Sequence, residues 1–129
     1  MKWKMRFIRH RFACNPAQLP PITHNGRPLK TSRRAKQHCP NGYNWGYIGL
    51  GPKALAHTIL CHVAGARTAN RLYLAFEREV IAALPRSGWR LTDGDVRSWL
   101  ARYTRAQREA RASRQEIARP SANSGARQA

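Results

Sequence analysis

The spacing of apolar residues changes along the chain, from alternation near the N-terminus to helical spacing in the middle. In "WKMRF", residues 3–7, apolar side chains alternate with basic ones, which predicts a strand with a basic outer face. Asn25-Gly26 predicts a turn, and its composition favours a hairpin. In "YNWGY", residues 43–47, aromatic residues alternate again, so we expect a short strand that runs directly into the glycines after it.

Residues 51–103 have the apolar spacing of three helices. The first begins at Gly51-Pro52, because proline at the first helical position lacks only an N–H that has no partner there. The second spans roughly residues 67 to 84, and the third begins at Thr92, where Asp95 resembles the acid of a capping box. The predicted fold class is therefore α+β, with a small sheet or hairpin in the N-terminal half packed on about three helices, the last of them long and basic.

The composition predicts a single folded domain with loose ends in these 129 residues. Residues 1–36 read as a basic strand and loop segment, and residues 37–103 as the core. A basic helical extension follows at 104–119, where the apolar stripe thins. Residues 120–129, "PSANSGARQA", have the composition of a disordered tail.

Positive charge is concentrated on the two flanks of the chain. The formal net charge is +18, from 24 lysines and arginines against 6 acids. Residues 1–36 contain ten basic residues and no acid, and residues 101–129 contain seven against two. Arginine dominates and aromatic residues are interleaved at the N-terminus, a pattern suited to phosphate contacts and base stacking. The predicted nucleic-acid-binding residues are Lys2, Lys4, Arg6, Arg9, Arg11, Arg33, Arg34, Lys36, Arg102, Arg105, Arg108, Arg111 and Arg114.

The expected location is the cytoplasm. The charged start "MKWKMRFIRHRF" is not followed by the apolar core of a signal peptide, and no apolar run is long enough to span a bilayer. The cysteines are three in number, which suits a reducing compartment better than a disulfide framework. We therefore expect no membrane partner.

Two stretches, "HCPNGYNWGYIGLGPKALAHTIL" and "LYLAFEREVIAALPRSGWRLTDGDVRSWL", together resemble a known sequence pattern over residues 38–100. They are similar to an uncharacterised small domain family of bacteria, phages and other mobile elements, whose Trp-Gly-Tyr-x-Gly-x-Gly-Pro motif precedes an alanine- and leucine-rich helix. The resemblance implies an origin in a phage or mobile element, and it implies no activity. Where the family has serine, this chain has Leu50.

The glycine-rich stretch before the first helix has two possible roles. Gly49, Gly51 and Lys53 could bind an anion, because a helix N-terminus presents unpaired N–H groups and a partial positive charge. However, the stretch lacks the Gly-Lys-Ser/Thr ending of a phosphate loop, and Leu50 removes a hydroxyl. A structural hinge is the favoured interpretation.

Metal binding and catalysis both have weak support in the sequence. His57 and Cys61 lie one helical turn apart and His38-Cys39 could add ligands, but the first pair is expected on the solvated side of its helix. No converging carboxylates or nucleophile motif indicates an enzyme. We expect no metal, no cofactor and no catalytic residue.

The favoured function is a small basic accessory protein, not an enzyme, that binds DNA or RNA through its flanks. The alternative is an inhibitor or modulator of an acidic host protein or a defence nucleoprotein complex, resembling an anti-CRISPR in role. In that case the folded middle would carry the specificity, and the charge would accelerate the encounter.

Overall fold

The computed structural model describes residues 9–30 and 42–118. Its elements are β1 (Arg11–Cys14), β2 (Ile22–His24), β3 (Arg27–Pro28), α1 (Leu50–Ala64), α2 (Ala66–Glu79), a 3₁₀ turn (Ile81–Ala83), β4 (Trp89–Thr92) and α3 (Asp93–Ala118). The predicted α+β class, with a small sheet and a long C-terminal helix, is confirmed. The strand predicted at residues 3–7 lies outside the described residues.

The four strands form one antiparallel sheet in the order β3-β2-β1-β4. Phe12 of β1 lies opposite His24 of β2 on one side and opposite Leu91 of β4 on the other. The sheet is therefore not built from the N-terminal half alone, because β4 follows the helices α1 and α2. Phe12 is buried at 1% exposure and is the centre of the sheet's apolar face.

The predicted turn at Asn25-Gly26 joins β2 to β3. Asn25 has φ 53° and Gly26 has φ 82°, so both residues adopt the left-handed conformation that a two-residue type I′ hairpin requires. Asparagine and glycine are the residues that adopt it at the lowest cost. The local sequence therefore determines this hairpin.

The strand predicted at residues 43–47 does not form, and this prediction is wrong. Gly46 has φ 81° and donates its backbone N–H to the carbonyl of Ile81 at 3.0 Å, not to a strand partner. The Trp45 indole donates to the carbonyl of Pro85 at 3.0 Å. The alternating aromatic residues therefore lie in a loop: Trp45 contacts Pro85 after α2, Tyr43 donates its hydroxyl to Oγ1 of Thr58 on α1, and Tyr47 is exposed.

Helix α1 is the centre of the core. Ten of its residues are buried: Gly51, Pro52, Ala54, Leu55, Ala56, His57, Thr58, Ile59, Leu60 and Val63. It ends at Gly65 (φ 90°), and α2 begins at the next residue.

Helix α2 is amphipathic, with Phe76 at 1% exposure and Leu74 at 48%. It ends at Glu79, earlier than predicted, and the 3₁₀ turn completes the segment before Pro85.

Helix α3 begins with the predicted capping box. The backbone N–H of Thr92 donates to Oδ2 of Asp95 at 3.0 Å, and the N–H of Asp95 donates to Oγ1 of Thr92 at 3.1 Å. These two bonds satisfy donors that a helix N-terminus otherwise leaves unpaired. The chain divides into two compact units at Val96, so that the greater part of α3 belongs to the second unit.

No helix in residues 9–30 and 42–118 combines the length and apolar character needed to cross a membrane.

Candidate functional site

Helix α3 carries the arginines that can be placed from the C-terminal flank. Arg102, Arg105, Arg108, Arg111 and Arg114 recur every third residue, and all are exposed. From Thr104 to Ala118 every side chain is exposed. At the start of this unit, the Trp99 and Tyr103 rings stack with centroids 4.9 Å apart. Beyond Tyr103 the helix therefore presents side chains to solvent on all sides.

The five arginines follow a spiral path and do not share one face. Three residues advance the position around an α-helix by about 300°, so each arginine is set back by about 60° from the one before it. Over four steps the arginines turn through about 240°. Within the described part of the chain, no acidic side chain forms an ion pair with any of them.

Few of the N-terminal basic residues can be placed. Arg9 and Arg11 are exposed at the start of β1. The other predicted members of this flank lie outside the described residues: Lys2, Lys4, Arg6, Arg33, Arg34 and Lys36. Among the described residues, most of the predicted nucleic-acid-binding arginines therefore lie on α3.

The candidate anion site at the start of α1 contains a carboxylate of the protein itself. Gly49 donates its backbone N–H to Oε2 of Glu77 at 3.0 Å, and Lys53 Nζ lies 3.2 Å from Oε1. The Glu77 side chain is only 2% exposed. A negative group at a helix N-terminus is stabilised by the helix dipole and the unpaired N–H groups. Glu77 therefore already binds two of the groups that an anion would use, Gly49 and Lys53, which disfavours the predicted anion site at Gly49, Gly51 and Lys53.

The glycines of this loop allow close backbone packing. A Cβ on Gly51 would lie 2.8 Å from Cβ of Asn44, and a Cβ on Gly46 would lie 2.7 Å from Cδ of Arg86. Arg86 donates to Oδ1 of Asn44 at 2.6 Å and to the carbonyl of Trp45, and its guanidinium lies 4.8 Å from the Trp45 ring centroid. These contacts favour the hinge interpretation.

The expectation that His57 and Cys61 are solvated is wrong for His57, and Cys61 is half-buried. His57 is 3% exposed, and its Nε2 lies 2.7 Å from Oδ1 of Asn70. Cys61 Sγ lies 3.6 Å from His57 Nδ1, and burial raises the pKa of the Cys61 thiol. The sequence contained a signal for this, because polar residues are few on every side of α1. His38-Cys39 lies outside the described residues.

A second cluster joins three other histidines that sequence reasoning did not connect. His10 precedes β1, His24 ends β2, and His62 lies in the last turn of α1. Nδ1 of His10 lies 2.8 Å from Nε2 of His24, and one ring nitrogen from each of the three falls within 4.8 Å of the others. The His24 and His62 ring centroids are 4.3 Å apart, and Phe12 stacks on His24 at 4.8 Å.

The surroundings of His24 and His62 favour the neutral forms of these two imidazole rings. Burial, followed by the nearby His62 and His10, lowers the pKa of His24. Burial, followed by His10, lowers the pKa of His62, while a hydrogen bond from the ring to the backbone carbonyl of Lys30 acts in the opposite direction. A neutral imidazole keeps one nitrogen lone pair available as an acceptor or a metal ligand.

Comparison with family models identifies the region that holds these features. The model of DUF6166, a family of unknown function, matches residues 17–102, about two thirds of the chain. The chain belongs to the DUF6166 family. Comparison with curated proteins and with solved structures found no match.

The DUF6166 region contains some of the candidate residues and not others. It includes the glycine loop, Glu77, His24 and His62. It ends at Arg102, so the arginines from Arg105 onward lie outside it, as does His10. The exposed arginine spiral is therefore mostly a property of this chain beyond the region that the family model describes.

Proposed function

We propose that this DUF6166 protein is a small basic accessory protein that binds nucleic acid through its arginine-rich flanks and catalyses no reaction. The observation that carries the proposal is the spiral of five exposed arginines on α3, with no ion-pair partner among the described residues. Exposed arginines that form no ion pair within the described residues are available to phosphate groups, which the guanidinium binds in a bidentate manner.

The geometry of α3 supports a nucleic-acid ligand over a flat acidic surface. The helix has 26 residues, which gives a length of about 39 Å. Arginines that turn through about 240° could contact phosphates on both walls of a groove, whereas a flat surface would engage only one side of the helix. Such contacts position a protein without reading bases, so we expect little sequence preference.

We place this activity in the cytoplasm and assign the chain to a phage or other mobile element. The resemblance over residues 38–100 to a family of bacteria, phages and other mobile elements supports the assignment to a mobile element. A protein of this kind would meet host DNA or RNA at high concentration, and its affinity would depend strongly on salt.

The test is fluorescence anisotropy with duplex DNA, single-stranded DNA and RNA over a salt series. Each phosphate contact contributes a slope of about −0.9 in log affinity against log salt for duplex DNA. A variant with Arg102, Arg105, Arg108 and Arg111 changed to glutamine should bind more weakly and reduce this slope by up to about 3.6. Glutamine keeps a good helix propensity, and circular dichroism verifies that α3 is intact.

A matched control removes four positive charges elsewhere. Arg67, Arg71, Arg78 and Arg90 are exposed on α2 and β4, and changing them to glutamine gives the same change in net charge. This control variant should keep most of the wild-type slope of log affinity against log salt. If the wild-type protein binds none of the three nucleic acids at physiological salt, or if the α3 variant keeps the full slope, the proposal is wrong.

A second candidate function is binding to an acidic host protein or to a defence nucleoprotein complex, as an inhibitor or modulator. One observation favours it: Tyr47 and Ile48 of the glycine loop and Leu50, the first residue of α1, expose 45%, 56% and 60% of their surfaces. Exposed apolar side chains in one loop are suited to a protein interface.

Affinity capture from a host lysate, with and without nuclease, distinguishes the two functions. Changing both Ile48 and Leu50 to serine should abolish capture of a protein partner and leave the anisotropy titration unchanged. If capture is lost on nuclease treatment and is unaffected by the serine variant, nucleic acid is the ligand.

A further inference from the structure

The cluster of His10, His24 and His62 brings together three imidazoles from three separate parts of the chain. Two of their ring nitrogens are 2.8 Å apart, and the ligand atoms of all three lie within 4.8 Å of one another. We propose that these three side chains form a binding site for a divalent transition-metal ion of the zinc type. This site is separate from the arginine spiral and does not depend on the proposed function.

The distances are close to those that a metal ion requires. Zinc binds histidine nitrogens at about 2.0 to 2.1 Å, so tetrahedral geometry places two such nitrogens about 3.3 to 3.4 Å apart. The hydrogen-bonded pair of His10 and His24 is slightly closer than this, and the limit of 4.8 Å for the cluster is somewhat wider. Small rotations of the rings would bring all three nitrogens to coordination distance.

The backbone around the cluster is held by hydrogen bonds. The carbonyl of His10 accepts from the N–H of Asp93 at 2.8 Å, and the carbonyl of Arg11 accepts from the N–H of Asn25 at 2.8 Å. These bonds hold the backbone at His10 and at Asn25, the residue that follows His24. The site therefore needs little reorganisation to accept an ion, which lowers the entropic cost of binding.

The ring of His62 has the partner that metal-binding histidines usually have. One of its nitrogens donates to the backbone carbonyl of Lys30. A hydrogen bond from the second ring nitrogen to a carbonyl fixes the tautomer and directs the other nitrogen toward the ion. Such a bond helps to orient the His62 ring, and one of its nitrogens lies in the cluster.

The chemistry of the donors selects the class of ion. Imidazole nitrogen suits zinc, copper and nickel, whereas calcium and magnesium prefer oxygen ligands. In the part of the chain that the structure describes, the cluster contains neither a carboxylate nor a thiol. Three nitrogen ligands would leave the fourth position of a tetrahedral ion to water or another small donor.

The ion would join the sheet to α1. His10 and His24 belong to the β1–β2 side of the fold, and His62 belongs to the end of α1, beside the exposed Lys30. Because an ion that binds only the folded state stabilises it, metal should raise the melting temperature.

The experiment uses the full chain with any polyhistidine tag removed and with bound metal stripped by a chelator. Isothermal titration with ZnCl₂ should give one ion per chain, and Co²⁺ should give the visible d–d bands of a tetrahedral site with nitrogen ligands. Thermal unfolding with and without zinc measures the stabilisation. Titration with Ni²⁺ and Cu²⁺ tests the order of affinities that imidazole ligands predict.

Two single variants test the ligands. His10→Gln and His62→Gln should each lower zinc affinity by about 100-fold or more and remove the zinc-dependent rise in melting temperature. Both side chains are only partly buried, so these variants should fold, as circular dichroism without metal would verify. The control is Cys61→Ser, which removes the thiol next to His62 and should keep the site intact.

Several results would overturn the proposal. They are the lack of a one-to-one zinc complex with the wild-type chain, a Co²⁺ spectrum without tetrahedral bands, and unchanged affinity in both histidine variants. Loss of zinc binding in Cys61→Ser with retention in His10→Gln would assign the ion to the His57–Cys61 pair and would also refute it.

Discussion

Lys53 and Glu77 form an ion pair across the interface of α1 and α2, with Nζ 3.2 Å from Oε1 and the carboxylate almost completely buried. The same carboxylate accepts the backbone N–H of Gly49. A single side chain of α2 thus neutralises Lys53 and caps α1, and it fixes the loop that enters the helix.

Glu77→Ala should lower the free energy of unfolding by about 3 kcal/mol, because it leaves a partly buried lysine without its partner. Glu77→Gln keeps an acceptor for Gly49 and should cost less. Urea unfolding measures both, and Glu109→Ala is the control, since Glu109 is exposed on α3. Equal stability of Glu77→Ala and the control would show that the ion pair contributes nothing.

Phe76→Ala should cost about 3 to 5 kcal/mol, because Phe76 is 1% exposed and its loss leaves a cavity. Leu74 lies on the same helix and is 48% exposed, so Leu74→Ala provides a matched control with a much smaller expected loss. The measurement is the midpoint of chemical unfolding. A neutral Phe76→Ala would contradict the packing of α2 against the core.

Gly46→Ala should destabilise the protein by about 2 kcal/mol. Gly46 has φ 81°, a conformation that costs a residue with a Cβ about 1 to 2 kcal/mol. The new Cβ would also displace Arg86 from Asn44 and Trp45. Gly94→Ala is the contrasting control, because only Thr92 Oγ1 lies within 3.5 Å and alanine favours a helix. It should raise the melting temperature, and thermal unfolding of both variants tests the pair.

The buried thiol of Cys14 should make the folded state less stable at alkaline pH. Burial raises the pKa of its thiol above the ordinary value of 9.0, with the charge of Arg86 opposing the shift. The folded state therefore disfavours the thiolate, so this contribution to stability is complete below the unfolded pKa and is lost as the pH rises through the folded pKa.

Melting temperatures of the wild type and Cys14→Ala from neutral pH to about pH 10.5 test this prediction. Above the ordinary thiol pKa, the melting temperature of the wild type should fall faster than that of Cys14→Ala. The difference between the two melting temperatures should therefore become smaller as the pH rises. Parallel curves over the whole range would contradict it.

Local chemistry explains which parts of the fold were predictable. The Asn25-Gly26 hairpin and the Thr92–Asp95 capping box follow from residues within a few positions of each other. The burial of His57 and the absence of a strand at residues 43–47 depend on elements that pack from far along the chain. For the same reason the histidine cluster had no sequence signal, since His10, His24 and His62 have no recognisable ligand spacing.

The arginine spiral was readable from the sequence, because three-residue spacing and a thinning apolar stripe need no tertiary context. The occupation of the candidate anion site at the start of α1 could not be predicted, because the carboxylate comes from Glu77 on another helix. Sequence reasoning could identify the N–H donors and could not identify their acceptor.

The pairing of β1 with β4 also has a consequence for folding during synthesis. Cys14 lies opposite Trp89, so the sheet can close only after the chain between them has left the ribosome. Until then the hairpin of β1 and β2 has one edge with unpaired backbone groups, which can pair with the same edge of another nascent chain. Such distant contacts slow folding. A chain truncated before Trp89 should therefore aggregate. In the complete chain, rapid formation of α1 and α2, which precede β4, would bring β4 to the open edge of β1 sooner and so shorten the time for which this edge is exposed.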